Sequence, residues 1–158
     1  MSNAIRFNLN GTDVTYEGKA TDRLLDVLRN EYHLTGVKCG CKEGECGACS
    51  VLMDGELVNS CMIAMGAIEG SAIVSIEGFK ETKRFEVIDK AYASVSAVQC
   101  GYCIPGMVLA TEAILSKTPH PSLEEIREGI SGNLCRCTGY NAIVNAIMIA
   151  SKEGNGLW

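Results

Sequence analysis

The sequence predicts an α+β fold, in which a small β-sheet comes first and four helices follow. Apolar and polar residues alternate over residues 4–18, which is the pattern of paired strands. Beyond residue 84, apolar residues recur at helical spacing instead, in four separate stretches. The change of period falls at the short charged link of residues 80–84. We therefore place two domains in the chain, residues 1–79 and residues 80–158.

The first half is predicted to open with a hairpin that turns at Asn10-Gly11, a dipeptide typical of tight turns between strands. Thr21 and Asp22 are candidate caps for a following helix whose leucines share one face, so this helix is expected to lie across the sheet. Residues 72–79 are predicted to form the last strand. A hairpin, a crossing helix and a returning strand together indicate a β-grasp-like domain.

The second half is predicted to contain four helices with apolar stripes. They span residues 85–95, 106–117, 123–130 and 140–151. Ser122 and Glu125 form a capping box at the start of the third helix. Pro105 suits the first turn of the second helix, and Thr138 is a candidate cap for the fourth. We expect these helices to form an antiparallel bundle.

The composition argues against several kinds of partner. The chain has 158 residues, 47% of them hydrophobic, and no apolar run approaches a membrane span, so we expect no membrane insertion. Fourteen basic residues against 19 acidic ones give a net charge of −5 without a basic cluster, which argues against a nucleic-acid partner. No cleavable signal segment is apparent before Ile5, so we expect a cytoplasmic protein whose partners are proteins.

The nine cysteines are the strongest functional signal, because eight of them have the spacing of metal ligands rather than of a disulfide framework. Cys41, Cys46 and Cys49 make C-x4-C-x2-C, the plant-type spacing of a [2Fe–2S] site whose fourth thiolate comes from farther along the chain. Cys61 is the candidate fourth ligand, because a hairpin predicted at Asp54-Gly55 returns the chain to this loop.

The loop that holds the first three cysteines is rich in glycine for a physical reason. An oxidised [2Fe–2S] core with four thiolates is a dianion, which needs hydrogen-bond donors in place of water. Gly40, Gly44 and Gly47 can take positive φ angles and let backbone N–H groups approach the sulfurs. A bulky replacement at Gly47 is therefore expected to weaken the site.

The other four ligand candidates form two close pairs, Cys100 with Cys103 and Cys135 with Cys137. Each pair precedes a predicted helix start, where free N–H groups and partial positive charge offset part of the cost of burying a dianionic cluster. A structural zinc site with four thiolates is the alternative to an iron–sulfur cluster at either set. Cys39 belongs to neither set, and a small buried side chain is its simplest role.

The full pattern, C-x4-C-x2-C-x11-C followed by C-x2-C-x31-C-x-C, resembles the iron–sulfur subunit of the molybdenum hydroxylases, the xanthine dehydrogenase and aldehyde oxidoreductase family. The match covers nearly the whole chain and extends beyond the cysteines to residues 45–49, 97–103, 105–106 and 131–140. The resemblance implies a β-grasp, ferredoxin-like [2Fe–2S] domain followed by an all-α four-helix [2Fe–2S]-binding domain.

The resemblance also implies an order of electron transfer through a non-catalytic subunit of an oxidoreductase. A molybdenum centre on molybdopterin, held by a large partner subunit, would oxidise the substrate. Electrons would then pass singly to the cluster of the helical domain, on to the cluster of the first domain, and out to FAD in a medium subunit or to another acceptor. By the same match, Gln99 and Cys137 look like the residues that lie against the pterin.

The branch of the family is open at this point. The xanthine dehydrogenase branch is the nearest resemblance, but aldehyde, nicotinate-type N-heteroaromatic and carbon monoxide oxidising enzymes are equally compatible, because the large subunit selects the substrate. A free two-cluster ferredoxin is an alternative of another class. The apolar last helix favours a subunit, because it can provide a docking face.

Overall fold

The computed structural model describes residues 4–158, and each half of that chain is built around its own apolar core. The first half contains five strands and, before the third of them, one α-helix: β1 (Ile5–Leu9), β2 (Thr12–Tyr16), α1 (Leu24–Asn30), β3 (Ser50–Met53), β4 (Glu56–Asn59) and β5 (Ala72–Val74). The strands form one sheet in the order β2-β1-β5-β3-β4, in which β1 and β5 are parallel and the other neighbours antiparallel. Leu25 and Leu28 of α1 are fully buried in the core of this half.

Both predicted hairpins are present, each with a two-residue turn. Leu9 pairs with Thr12 across the first turn, and Met53 pairs with Glu56 across the second. The turn residues have positive φ angles: 52° at Asn10, 85° at Gly11, 52° at Asp54 and 86° at Gly55. Two left-handed residues in succession define the turn whose twist matches that of paired strands, which is why Asn-Gly and Asp-Gly occur here.

The predicted caps of α1 are wrong. Arg23 precedes the helix without a side-chain cap. The Asp22 carboxylate accepts hydrogen bonds from the Tyr16 hydroxyl at 2.6 Å and from the Lys19 backbone N–H at 3.0 Å. The carboxylate thereby closes the preceding loop, and the N–H of Leu24, the first helical residue, donates instead to the Ile63 carbonyl at 2.9 Å.

The strand predicted over residues 72–79 ends earlier, at Val74, and a short helix, α2 (Ile76–Phe79), follows it. The Asn10 side chain accepts a hydrogen bond from the Ser75 backbone N–H at 2.8 Å and donates one to the Ser75 hydroxyl at 3.0 Å. Phe79 then turns into the core of the helical half. The long-range contact with Asn10 ends the strand, and the apolar spacing alone does not contain that information.

The second half contains the four predicted helices: α3 (Lys83–Ser94), α4 (Ile104–Lys117), α5 (Leu123–Gly129) and α6 (Asn141–Glu153). Both bonds of the predicted capping box are present at the start of α5, between Ser122 and Glu125. Pro105 lies in the first turn of α4, as predicted. Thr138 does not cap α6, because that helix begins only at Asn141 and follows Tyr140, whose φ is 69°.

The α+β class is confirmed, and the two halves pack directly on each other. Leu52 of β3 belongs to the core of the helical half, and Val74 packs against the same core. Because residues of the first half contribute to the core of the second, the domain boundary placed between residues 79 and 80 stays a prediction. Among the residues described, no helix is both long and apolar enough to cross a membrane.

Candidate metal centres

The first cysteine loop, residues 39–49, is closed by backbone contacts at its base. The Lys38 N–H donates to the Ala48 carbonyl at 3.1 Å, and the Arg29 guanidinium donates to the Val37 carbonyl at 2.7 Å. Gly44 and Gly47 have φ angles of 80° and 69°, so both take the left-handed conformation that the sequence indicates for this loop.

This loop directs backbone N–H groups at its own sulfurs. Sγ of Cys41 accepts from the N–H groups of Glu43, Glu45 and Cys46 at 3.3–3.4 Å. Sγ of Cys46 accepts in return from the Cys41 N–H at 3.4 Å. The N–H groups, that of Glu43 foremost, lower the pKa of the Cys41 thiol to about 7. The loop is thus arranged to stabilise negative charge on sulfur before any metal is considered.

Cys49 and Cys61 are both buried, and their thiols are close enough to influence each other's ionisation. Burial first, and the contact with Cys49 next, raise the pKa of the Cys61 thiol to about 11. A buried thiolate pair of this kind needs a cation to compensate its charge. The Asn59 side chain donates to the Gly44 carbonyl at 2.8 Å and so ties the hairpin carrying Cys61 to the cysteine loop.

The second cysteine set joins two segments that are far apart in sequence. Cys103 immediately precedes α4, whereas Cys135 and Cys137 lie between α5 and α6. The thiol of Cys103 interacts with that of Cys135, and the thiol of Cys100 interacts with that of Cys137. Burial, followed by the Cys135 contact, raises the pKa of Cys103 to about 12. The predicted helix start directly follows Cys103, but the other pair is separated from α6 by three residues, 138–140.

The thiols of each set form two pairs, and the two pairs of a set are close enough to interact with each other. The pairs are Cys41 with Cys46, Cys49 with Cys61, Cys100 with Cys137, and Cys103 with Cys135. Across residues 4–158 there is no tight group of three or more His, Cys, Asp or Glu side chains. In a [2Fe–2S] cluster with four cysteine ligands each iron takes two thiolates, so this pairing fits the donor set that such a cluster requires.

The two sites touch along a seam that the sequence analysis missed. The Leu134 N–H donates to the Cys46 carbonyl at 2.9 Å. The buried Asn133 side chain donates to the Gly47 carbonyl at 3.1 Å and to the Ser50 hydroxyl at 3.2 Å. A Cβ on Gly47 would collide with the Gly132 carbonyl oxygen, so only glycine fits there. We call these contacts between residues 46–50 and 132–134 the seam.

The remaining predicted residues lie at the surface. Gln99, Cys100 and Cys137 are exposed, together with the apolar side chains of Val98 and Leu134. Cys39 is half-buried, and its carbonyl accepts a hydrogen bond from the Tyr102 hydroxyl at 2.8 Å. The structure thus brings Cys39 near the second site through its backbone, and its role stays a prediction.

Comparison with known families assigns both halves. The 2Fe-2S iron-sulfur cluster binding domain matches residues 7–70, and a second [2Fe-2S] binding domain matches residues 75–148. The nicotinate dehydrogenase small FeS subunit of Eubacterium barkeri is 45% identical over 149 residues, which cover 94% of this chain and 95% of the relative. This chain belongs to the iron–sulfur subunits of the molybdenum hydroxylases. The xanthine dehydrogenase iron-sulfur-binding subunit of Escherichia coli O157:H7 is 42% identical over 150 residues, with 94% of each chain covered.

Solved structures of two oxidoreductases contain the same fold. The aldehyde oxidoreductase from Desulfovibrio gigas superposes with a TM-score of 0.91 at 37% identity, covering 99% of this chain but only 18% of that much longer chain. A chain of quinoline 2-oxidoreductase from Pseudomonas putida 86 gives a TM-score of 0.89 at 36% identity and is covered to 97% of its length. The ferredoxin-like and helical [2Fe–2S] domains implied by the resemblance are confirmed in that order.

Proposed function

We propose that this molybdenum hydroxylase subunit relays electrons from a molybdopterin-bound centre in a large partner subunit, through two [2Fe–2S] clusters, to FAD in a medium subunit or to another acceptor. One cluster would be held by the first four cysteines of the chain after Cys39, and the other by the last four. These are Cys41, Cys46, Cys49 and Cys61, and then Cys100, Cys103, Cys135 and Cys137. Membership in the family supports an electron-transfer role, and the paired thiols support these ligand sets.

The contacts at the seam are the main support for electron transfer between the two sites. Cys46 is a ligand candidate of the first site, and its carbonyl accepts the N–H of Leu134, the residue directly before the ligand candidate Cys135. A path of covalent bonds and a single 2.9 Å hydrogen bond therefore joins the two sets of ligands. Electron transfer between the clusters would need no intervening water or mobile side chain.

Exposure supports the order of the relay. Gln99 and Cys137 lie at the surface beside apolar Val98 and Leu134, as a face covered by a large partner requires. Gln99 carries both a hydrogen-bond donor and an acceptor for the edge of a pterin. The partly exposed pair Cys41 and Cys46 would face the acceptor subunit.

The large partner subunit would select the substrate, so we propose only the chemical class of the substrate. Relatives named for nicotinate and for xanthine are 45% and 42% identical to this chain, so identity does not separate the two branches. We propose an N-heteroaromatic substrate, with the xanthine type as the first to test. Aldehyde or carbon monoxide oxidation would be compatible with the same relay.

The test is low-temperature EPR of the dithionite-reduced complex purified through this chain, together with iron counting and mass identification of the chains that copurify. We expect two distinct signals, about four irons per chain and a large molybdopterin-binding companion. Zinc in place of iron, or a single signal with about two irons, would overturn the ligand assignment.

Two matched variants test the order of the relay. Cys137→Ser should block the transfer of electrons from molybdenum, whereas Cys46→Ser should leave that transfer intact and block the exit to the acceptor. Pre-steady-state reoxidation of molybdenum measures the first step. If molybdenum is reoxidised at full speed in Cys137→Ser, the proposed order is wrong.

A further inference from the structure

At the second site, a side-chain hydroxyl contacts a ligand sulfur. Oγ1 of Thr138 lies 3.1 Å from Sγ of Cys135, in a turn that the sequence analysis assigned to capping α6. At the first site, the hydrogen bonds to Cys41 and Cys46 come from backbone N–H groups. The Thr138 hydroxyl has no role in a helix cap, so its contact with sulfur needs another explanation.

The direction of this hydrogen bond follows from the neighbours of the hydroxyl. The Tyr140 backbone N–H donates to Oγ1 of Thr138 at 3.2 Å, so the oxygen acts as acceptor there. A threonine hydroxyl carries one proton. That proton is therefore left for Sγ of Cys135, and the sulfur is the acceptor.

The turn that carries the hydroxyl is held in place from both ends. The Tyr140 hydroxyl accepts a hydrogen bond from the Cys135 N–H at 3.0 Å, and Tyr140 itself has a left-handed φ of 69°. A non-glycine residue in this strained conformation persists only where its surroundings determine it. Tyr140 thus clamps Cys135 with its side chain and Thr138 with its backbone.

We propose that Thr138 sets the reduction potential of the second cluster by donating its hydroxyl proton to the sulfur of Cys135. Reduction adds an electron to an already anionic cluster, and a donor to a ligand sulfur stabilises the reduced form more than the oxidised form. The hydroxyl therefore raises the potential of this cluster. The proposal rests on the proposed function in one respect, which is that Cys135 binds iron.

The test compares Thr138→Val, which has nearly the same shape without the hydroxyl, with Thr138→Ser, which keeps it. EPR-monitored redox titration of the purified complex measures both clusters in one sample, so the first cluster is an internal control. We expect Thr138→Val to shift the reduction equilibrium of the second cluster about tenfold toward the oxidised form, about 59 mV for one electron. Thr138→Ser should titrate like the wild type, and the first cluster should not change.

A measurement on the wild-type complex keeps the proposal falsifiable if Thr138→Val does not retain its iron. After exchange into deuterium oxide, pulsed EPR should detect a hydroxyl deuteron coupled to the reduced second cluster, and Thr138→Ser should retain this coupling. Absence of the coupling, or an unchanged potential in fully loaded Thr138→Val, would overturn the proposal. A wild-type complex with about two irons per chain would contradict the ligand assignment instead.

Discussion

The two cysteine sites of this subunit obtain their electrostatic support in different ways. At the first site, one loop of eleven residues, 39–49, supplies three of the cysteines and also the backbone N–H groups that contact their sulfurs. At the second site, two segments more than thirty residues apart must meet, and a side-chain hydroxyl contacts one sulfur in addition to the backbone N–H groups of Thr138 and Cys137. Backbone donors remain when side chains change, whereas a side-chain donor can be gained or lost by one substitution. The second site therefore has a hydrogen-bond donor that a single substitution can remove without changing the backbone.

A substitution at the seam tests whether the two cysteine sites depend on each other. Gly47→Ala should have the largest effect on stability, because its Cβ would meet the Gly132 backbone and its φ is 69°. Gly55→Ala is the matched control, since it has a φ of 86° with nothing within 4 Å. We expect Gly55→Ala to lower the free energy of unfolding by about 1–2 kcal/mol, and Gly47→Ala to lower it by more.

Chemical denaturation measures both costs, and EPR reports which cluster is lost. Both EPR signals should weaken in Gly47→Ala, because the clash moves the first loop and the segment before Cys135 apart. Loss of the first signal alone would mean that the sites are independent.

Removal of the Asn133 side chain should have the next largest effect. Its amide is buried and donates to Gly47 and Ser50, so Asn133→Ala leaves two buried acceptors without this donor. We expect a loss of about 1–3 kcal/mol in the free energy of unfolding. Asn30→Ala, at the exposed end of α1, is the control and should change stability little. Equal effects of the two substitutions in denaturant unfolding would contradict the importance of the seam.

Removing a helix cap should have a smaller effect on stability, and that effect should be limited to the second site. The second site follows α5, which is capped, whereas the first site follows α1, which has no side-chain cap. Ser122→Ala removes the hydroxyl that accepts a hydrogen bond from the Glu125 N–H in the capping box of α5. This should lower the free energy of unfolding by about 1 kcal/mol. Amide hydrogen exchange should become faster in α5 and in residues 131–137, but not in the loop of residues 39–49. Faster exchange in that loop would show that the cap supports the whole chain instead.

The smallest expected effect concerns pH. Glu125 accepts a hydrogen bond from the Ser122 N–H at 2.7 Å, and this bond lowers the pKa of its carboxyl group. The stabilisation is present above the ordinary pKa of glutamate, about 4.3, and is lost as the pH falls through the lower folded value. Glu125→Gln should therefore weaken α5 at neutral pH, and its difference from the wild type should shrink in acid. A difference in amide exchange that stays constant with pH would contradict this assignment.

The sequence was informative where a feature depends on neighbouring residues. The turns at Asn10-Gly11 and Asp54-Gly55 and the capping box at Ser122 follow from local chemistry, and the structure contains all three. The cysteine spacings likewise led to the family. Spacing works for the first loop because a ligand set within eleven residues leaves few ways for the chain to fold.

The sequence was uninformative where a residue acts at long range. The sequence gives no sign of the role of Asn133, because its partner Gly47 is 86 positions away. Thr138 fits the preferences of a helix cap, but its hydroxyl contacts Cys135 instead. Both residues have small polar side chains with several possible partners, and only the packing of the two halves selects among them.

The seam also limits how the two halves can be recombined. A chimera that joins the first half of this subunit to the second half of a relative, with the junction near residue 80, separates Gly47 from the Asn133 and Gly132 that surround it. The substituted half must present an equivalent amide and an equally open backbone at that point, or the halves will not fit together. Residues 46–50 and 132–134 should therefore be exchanged as one block, although more than eighty positions separate them in the chain.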